Sequence, residues 1–269
     1  MEVEGTAPGS TLMIMKKIVK QGWRPVLVVV LLLILWESSS RLFAIPAWLL
    51  PSPLTIMEEG LSSWSNYAHH LVSTTKLSIL GFVIGTSIGL LIAILLHLMP
   101  RVRQAFYPLL ILSQNIPIIV LAPLLIIWFG FGVLPKLFII TLVCFFPVAV
   151  AALDGFRQTN AEMKHYMYMA GASKWQVFSK LEFPHALPAV FSGLKISATY
   201  SVMGAVISEW LGANQGIGVY MTLAQSSFRT DRVFVAIFFI MLLCLLFFSL
   251  IIVLEKFCIK GRAEQEAKS

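Results

Sequence analysis

Charge is what this chain has least of. Asp, Glu, Lys and Arg make up 12% of its 269 residues, about half the share usual in soluble domains. A water-soluble fold needs a polar face over most of its surface, so a soluble enzyme is excluded. Disorder is excluded by the same scarcity, because disordered chains are charge-rich and aromatic-poor, whereas Phe, Trp and Tyr supply 12% here. Cysteine is scarce too: Cys144 and Cys244 lie inside apolar runs and Cys258 just beyond one. An odd number so placed excludes a disulfide framework, and metal-ligand spacing is absent. The three are expected to be inert. No G-x-x-x-x-G-K-[ST] string occurs, so the chain cannot cradle nucleotide phosphates by itself. No H-E-x-x-H helix is present, and no nucleophile elbow is expected. His69 and His70, with Glu58 and Glu59 upstream, read as solvated loop residues, since adjacent histidines rarely converge on one metal. No cofactor or metal is expected.

What is present is apolar: 58% of the residues are hydrophobic. A membrane-crossing helix takes roughly 20 such residues, and six runs qualify, at 25–45, 77–98, 106–129, 134–153, 189–210 and 233–254. The expected fold is all-α, a polytopic six-helix membrane domain over 25–257. Polar segments flank it at 1–24 and 258–269. Pro108, Pro117 and Pro123 interrupt the third run, and proline is tolerated there only where neighbours or a cavity satisfy the freed carbonyls. The fifth run carries Lys195, Ser197, Thr199, Tyr200 and Ser201, so one of its faces does not meet lipid. The second has Gly81, Gly85 and Gly89 at four-residue spacing, a stripe that permits close helix approach; packing within the chain is preferred to an oligomer contact.

The formal charge is +7. With the N-terminus inside, fourteen Lys and Arg fall on cytoplasmic segments and five on outer ones, with Lys195 in a span. That asymmetry follows the positive-inside rule and places both termini in the cytoplasm. The charge therefore reports orientation and not nucleic-acid binding. Basic residues precede the first run as they would in a signal peptide. No small-x-small cleavage site follows Glu37, so the run is expected to be retained. The outer segment 46–76 suits a short interfacial helix.

The inner segment 154–188 is the more informative connection. A helix is expected from near Asn160 to Ala170, with Gly171 as the break. Ser173 then caps a second short helix, Gln176 completing a capping box. Pro184 and Pro188 are expected to end it. Large apolar groups on this helix–turn–helix, among them Met167, Trp175 and Phe178, suit a protein partner or the bilayer surface.

For a solute pathway, the Pro-broken third run and the polar fifth are the candidates. Thr199 and Met203 share a helical face with Lys195, which either attracts an anion or, the preferred reading, snorkels to the inner interface. Gln114 and Asn115, ahead of Pro117, suit hydrogen bonding to a solute or to the carbonyls that the proline frees. Glu209 is costly if buried, and capping the loop that starts at Gly212 is its preferred role.

The spacing Gly171, nine residues, Leu181, one residue, Phe183-Pro184 is similar to the EAA loop of ABC-importer permeases. Gly171-Ala172-Ser173-Lys174-Trp175-Gln176 resembles the GAS-x-WQ stretch of permeases for nitrate, sulfonates and taurine. Three further stretches resemble the same subgroup: Leu50-Pro51-Ser52-Pro53, Ile116-Pro117 through Trp128-Phe129-Gly130-Phe131-Gly132, and Glu209-Trp210-Leu211-Gly212 with Gly216-Ile217-Gly218. The likeness covers about 25–257. One departure stands out: His165, Tyr166 and Met167 occupy the places of the family's Glu-Ala-Ala.

The resemblance implies a permease subunit of an ATP-driven importer in the cytoplasmic membrane, working as a homodimer. It also implies cytoplasmic ABC ATPase subunits as partners, which bind the ATP, and an outer solute-binding protein that delivers substrate. In such a permease the 160–183 loop couples to the ATPase. Gly171, Ala172, Ser173, Trp175, Phe178, Leu181 and Pro184 are its expected coupling residues, and Gln114, Asn115, Pro117, Thr199 and Met203 the candidates for the pathway. The Glu209-Trp210-Leu211-Gly212 form, and Ser227-Phe228 ahead of Asp231, lean toward the branch that carries pyrimidine precursors of thiamine. A self-contained secondary transporter or channel is the alternative. It would need coupling acids inside the spans, and beyond Glu37, Asp154 and Glu209 at their ends there are none.

Overall fold

The computed structural model describes residues 9–266, with side chains over 23–259. Lys16, Lys17, Lys20, Lys260, Arg262 and Lys268, which enter the orientation count, lie outside those side chains. The chain order is α1 (Gly9–Leu42), α2 (Pro53–Ser62), α3 (Trp64–Leu98), α4 (Pro100–Ser113), α5 (Ile118–Phe129) and α6 (Val133–Arg157). There follow α7 (Ala161–Met169), α8 (Lys174–Val177), a π-helical turn (Phe178–Glu182), α9 (Phe183–Glu209), α10 (Ile217–Ser226) and α11 (Thr230–Glu266). No strand occurs among the described residues. Five helical stretches are long and apolar enough to cross a membrane, and six if α4 and α5 count as one bent span.

The bend in that pair is 99°. Pro117 has no N–H to continue α4, and Gln114–Pro117 form the break. Asn115 Nδ2 donates to the Ile111 carbonyl at 2.8 Å, so one freed acceptor is satisfied locally. Of the two roles open to Asn115, the structure displays this one.

α6 is the centre of the bundle, packed between α9 and α3. Both interfaces rely on missing side chains. A Cβ on Gly85 would lie 2.5 Å from the Thr141 carbonyl oxygen and one on Gly89 2.7 Å from that of Phe145, while one on Gly81 would overlap Ile140. The glycine stripe thus serves packing inside the chain. Facing α9, Cys144 and Ser197 cross-link backbone to side chain: Ser197 Oγ–H donates to the Cys144 carbonyl at 2.8 Å. At one end of the bundle Phe156, Phe178, Leu153 and Ala93 close a buried cluster; at the other Tyr67, Ile217, Tyr220 and Val235 close a second. α1 stands apart, touching chiefly α2. Between it and the bundle lies an apolar cleft of about 1150 Å³ lined by Ile34, Trp64, Phe238 and Met241 among others.

Four expectations need correction. Helix α3 begins at Trp64, so of the expected outer segment only 46–63 is outside it; no proline or glycine interrupts the chain from Leu61 to Leu80. His70 is therefore a half-buried helical residue, not a solvated loop one. Pro184 and Pro188 do not end the second loop helix, because α8, the π turn and α9 run on unbroken from Lys174 to Glu209. Pro184 follows just after the π-helical turn and Pro188 stands inside α9, both within that continuous helix. Lastly, Gly85-Thr86-Ser87-Ile88-Gly89 does spell Gly-x-Ser-x-Gly, but in mid-helix and not on the strand-to-helix turn that exposes a nucleophile.

Candidate functional site

At the end of the bundle that carries α7 and α8, local sequence builds the geometry. Asn160 caps α7 by accepting from Glu162 N–H at 2.7 Å. The helix ends in a Schellman motif: Ala172 N–H donates to the Met167 carbonyl at 2.9 Å and Gly171 N–H to that of Tyr168 at 3.0 Å. Gly171 takes φ +81°, the left-handed value this motif needs. Ser173 and Gln176 then exchange both bonds of the capping box.

Most of this helix–turn–helix faces outward. Met163, Tyr166, Tyr168 and Met169 are exposed, and Trp175 is 61% exposed. Gly171 and Ser173 are exposed, while Ala172, Leu181 and Pro184 are half-buried. Phe178 differs from the rest, being 3% exposed. It packs on Phe156 and His97, so it roots the loop in the bundle instead of facing outward. Where the family has Glu-Ala-Ala, His165 and Tyr166 are exposed and Met167 is half-buried.

An ionic contact under this loop escaped the sequence reading. Glu182, buried on the π turn, lies 2.6 Å from Lys164 Nζ on α7 and 2.7 Å from His97 Nε2 at the end of α3. The partners are 18 and 85 positions away, and no local pattern announces them.

In the middle of the bundle the pathway candidates stay apart. Gln114, Asn115 and Pro117 are exposed at the α4–α5 bend. Thr199 is half-buried, its hydroxyl donating to the Lys195 carbonyl at 3.5 Å, and Met203 is 48% exposed. α5 packs chiefly on α6, whereas α9 packs on α6, α11 and α3. Lys195 is paired: its Nζ lies 2.7 Å from Glu255 of α11.

The opposite end holds a second polar cluster. Glu209 is 2% exposed. Its Oε1 accepts from Thr74 Oγ1–H at 2.7 Å and its Oε2 from Gly218 N–H at 2.8 Å. Thr74 Oγ1 in turn accepts from Ile217 N–H at 2.8 Å, and His70 Nδ1 accepts from Gly216 N–H at 3.0 Å. The first N–H groups of α10 are thereby satisfied, and a carboxylate sits where the helix dipole favours one. Gly216 is required because a Cβ there would overlap the Glu209 carboxylate. The Glu209-to-Gly218 stretch is thus a capping device that joins α3, α9 and α10. Nearby, Glu59 of α2 bonds Arg229 at 2.9 Å and Arg232 at 2.8 Å, and Arg229 also bonds Asp231. Partial burial alone would raise the Glu59 carboxyl; hydrogen bonds from Ser63 and Arg232 and the two guanidinium charges outweigh it and hold it low.

No His/Cys/Asp/Glu group suited to a metal occurs among the described residues. The comparisons agree on transport. The profile of the family described as "Binding-protein-dependent transport system inner membrane component" matches residues 85–259. The chain is 37% identical over 246 residues to the formylaminopyrimidine transport permease protein ThiX of Halalkalibacterium halodurans, covering 91% of this chain and 98% of that one. It is 31% identical to the riboflavin transport system permease protein RibX of Chloroflexus aurantiacus, over 87% of this chain and 88% of that one. It is also 29% identical to the putative aliphatic sulfonates transport permease protein SsuC of Bacillus subtilis, over 92% of this chain and 91% of that one.

Proposed function

We propose a substrate and a working cycle from the premise that this chain belongs to the family of binding-protein-dependent transport system inner membrane components, and so is an integral inner-membrane permease of an ABC importer. Its relatives are transport permeases, not enzymes. The energy then comes from cytoplasmic ATPase subunits that dock on the α7–α8 helix–turn–helix. Two copies of the chain line the pathway, and both termini are cytoplasmic. An outer binding protein delivers solute to the end formed by α2 and α10. Closure of the ATPases switches the pathway between inward- and outward-facing states.

The observation that carries the coupling role is the exposed Trp175 face, set on a helix that continues into α9 without a loop. A push on that face reaches the bundle through helix, not through flexible chain. Gly171, Ala172, Ser173 and Trp175 form the docking surface; Leu181, Pro184 and the buried Phe178 anchor it. Gln114, Asn115, Pro117, Thr199 and Met203 line the pathway where two copies face each other.

The solute is a pyrimidine precursor of thiamine, of the hydroxymethylpyrimidine type. Likeness to the formylaminopyrimidine permease over nearly the full length of both chains supports this. So does charge: the lysine inside α9 is already paired with Glu255, which leaves it poorly placed to receive a sulfonate. Calorimetry on the partner binding protein tests the substrate. Hydroxymethylpyrimidine or formylaminopyrimidine should bind, and taurine or an alkanesulfonate should not; the reverse pattern would overturn the assignment. Proteoliposomes holding permease and ATPase test the cycle. Uptake should require ATP, and uptake without it would sink the mechanism.

A further inference from the structure

Glu182 holds together three elements that the coupling reading requires to move in concert. It sits on the π turn, where Phe183 N–H donates to the Phe178 carbonyl five residues back. Such turns are rare and concentrate at functional positions. The widened turn brings Phe178, Glu182 and Ala186 to one buried face. From there the carboxylate reaches up to His97, which lies against Phe156 and Phe178 at the end of α3. It also reaches out to Lys164 on α7.

α7 has little else to hold it. None of its residues is fully buried, and only Lys164 and Met167, three apart on one face, are even half-buried. A carboxylate is an acceptor only, so the His97 Nε2 carries the proton it shares, and Nδ1 is left buried with no partner. Lys164 supplies a full cation that compensates the buried Glu182. Burying a carboxylate is tolerable only with such a partner. The pair therefore holds α7 to the bundle through a contact whose loss is costly on the bundle side.

We propose that Glu182 is a transmission clamp, a positioning residue that makes α7, α8–α9 and α3 respond as one body to the docked ATPase. The proposal rests on the coupling reading above. When the helix–turn–helix is pushed, Lys164 carries α7 with the π turn, and His97 carries α3 with it. Without the clamp, α7 can yield while α9 stays where it is, and ATP is hydrolysed without transport. The solute's identity plays no part in this.

The test uses the permease–ATPase complex in proteoliposomes with its binding protein, comparing Lys164→Met, Lys164→Arg and Glu182→Gln. Three quantities are read: ATPase retained on co-purification, ATP hydrolysed, and solute imported per ATP. Lys164→Met leaves the buried Glu182 carboxylate without this cation. The double variant Lys164→Met/Glu182→Gln removes that charge as well, so it separates a folding loss from a coupling loss and should show the same lowered import per ATP. The clamp requires Lys164→Met to retain the ATPase but lower import per ATP at least about fivefold, the small end of typical coupling energies. Lys164→Arg should restore it. Unchanged import per ATP in Lys164→Met overturns the clamp. So does loss of the ATPase, which would make Lys164 a docking contact instead. If the wild-type chain itself retains no ATPase, it is the coupling reading that fails.

Discussion

Gly171 and Glu209 each serve a helix end, Gly171 by closing α7 with a left-handed backbone and Glu209 by accepting from the first turn of α10. Gly171 was legible because a Schellman ending is written in adjacent positions, glycine after the last helical turn and a capping serine two residues on. The break expected at Gly171 is observed, with a left-handed φ of +81°, and a Cβ there would meet nothing within 4 Å. Replacement by alanine is therefore a pure backbone penalty, about 1 kcal/mol for a left-handed non-glycine residue. Gly171→Ala should leave the melting temperature of the detergent-solubilised permease almost unchanged while weakening ATPase retention, since the α7–α8 angle is what shifts. Glu209 was half legible: its cost and capping role followed from chemistry, but its partners Thr74 and Gly218 did not. Glu209→Ala leaves the Gly218 N–H unpaired, while the Thr74 hydroxyl keeps the His70 carbonyl, 3.2 Å away, as its acceptor. At about 1–3 kcal/mol for a buried orphan a fall in melting temperature follows. Glu209→Gln should recover part of it, because an amide oxygen still accepts from that N–H. Equal melting temperatures for all three proteins would refute the capping account.

At the scale of helices, the apolar runs were legible and their joints were not. The six runs correspond to the long helices and the bent pair because length and hydropathy decide them. Where one element meets the next, proline misled in both directions. Pro117 breaks its span through 99°, yet Pro184 and Pro188 break nothing, standing within one continuous helix just after its π-helical turn. Sequence carries the residue but not its place in the turn. The glycine stripe, by contrast, gave its face correctly, since four-residue spacing fixes a helix side. Gly85→Leu should therefore cost more than a Leu on the exposed side of α3. Overpacking runs about 1–3 kcal/mol, and here the obstacle is the Thr141 backbone, which cannot rotate away. Ile79, exposed on the same helix, provides the control: Ile79→Leu should melt as the wild type does.

For the molecule as a whole, the scarce charges turn out to be concentrated at its two ends, each set holding neighbouring elements together. Glu182 with Lys164 and His97 lies at one end, and Glu59 with Arg229 and Arg232 at the other. None of these pairs was legible, since Glu59 and Arg229 stand 170 positions apart. The 27 residues of α9 between the two ends span roughly 40 Å at 1.5 Å per residue. If docking of the ATPase and of the binding protein occupies opposite ends, damage to one should spare the other. Trp175→Ala is expected to reduce ATPase retention and leave binding-protein affinity intact. Glu59→Gln is expected to do the reverse, loosening α2 from Arg229 and from Arg232 at the start of α11. Acid should imitate Glu59→Gln. A carboxyl held low in the folded chain adds stability that is complete above its unfolded value, about 4.3, and is lost as pH falls through the lower folded one. Binding-protein affinity should therefore weaken below about pH 4 in the wild type and much less in Glu59→Gln, provided the binding protein alone is stable there. If Glu59→Gln weakened ATPase retention as much as Trp175→Ala does, the two ends would not be independent, and the assignment of one partner to each would fall.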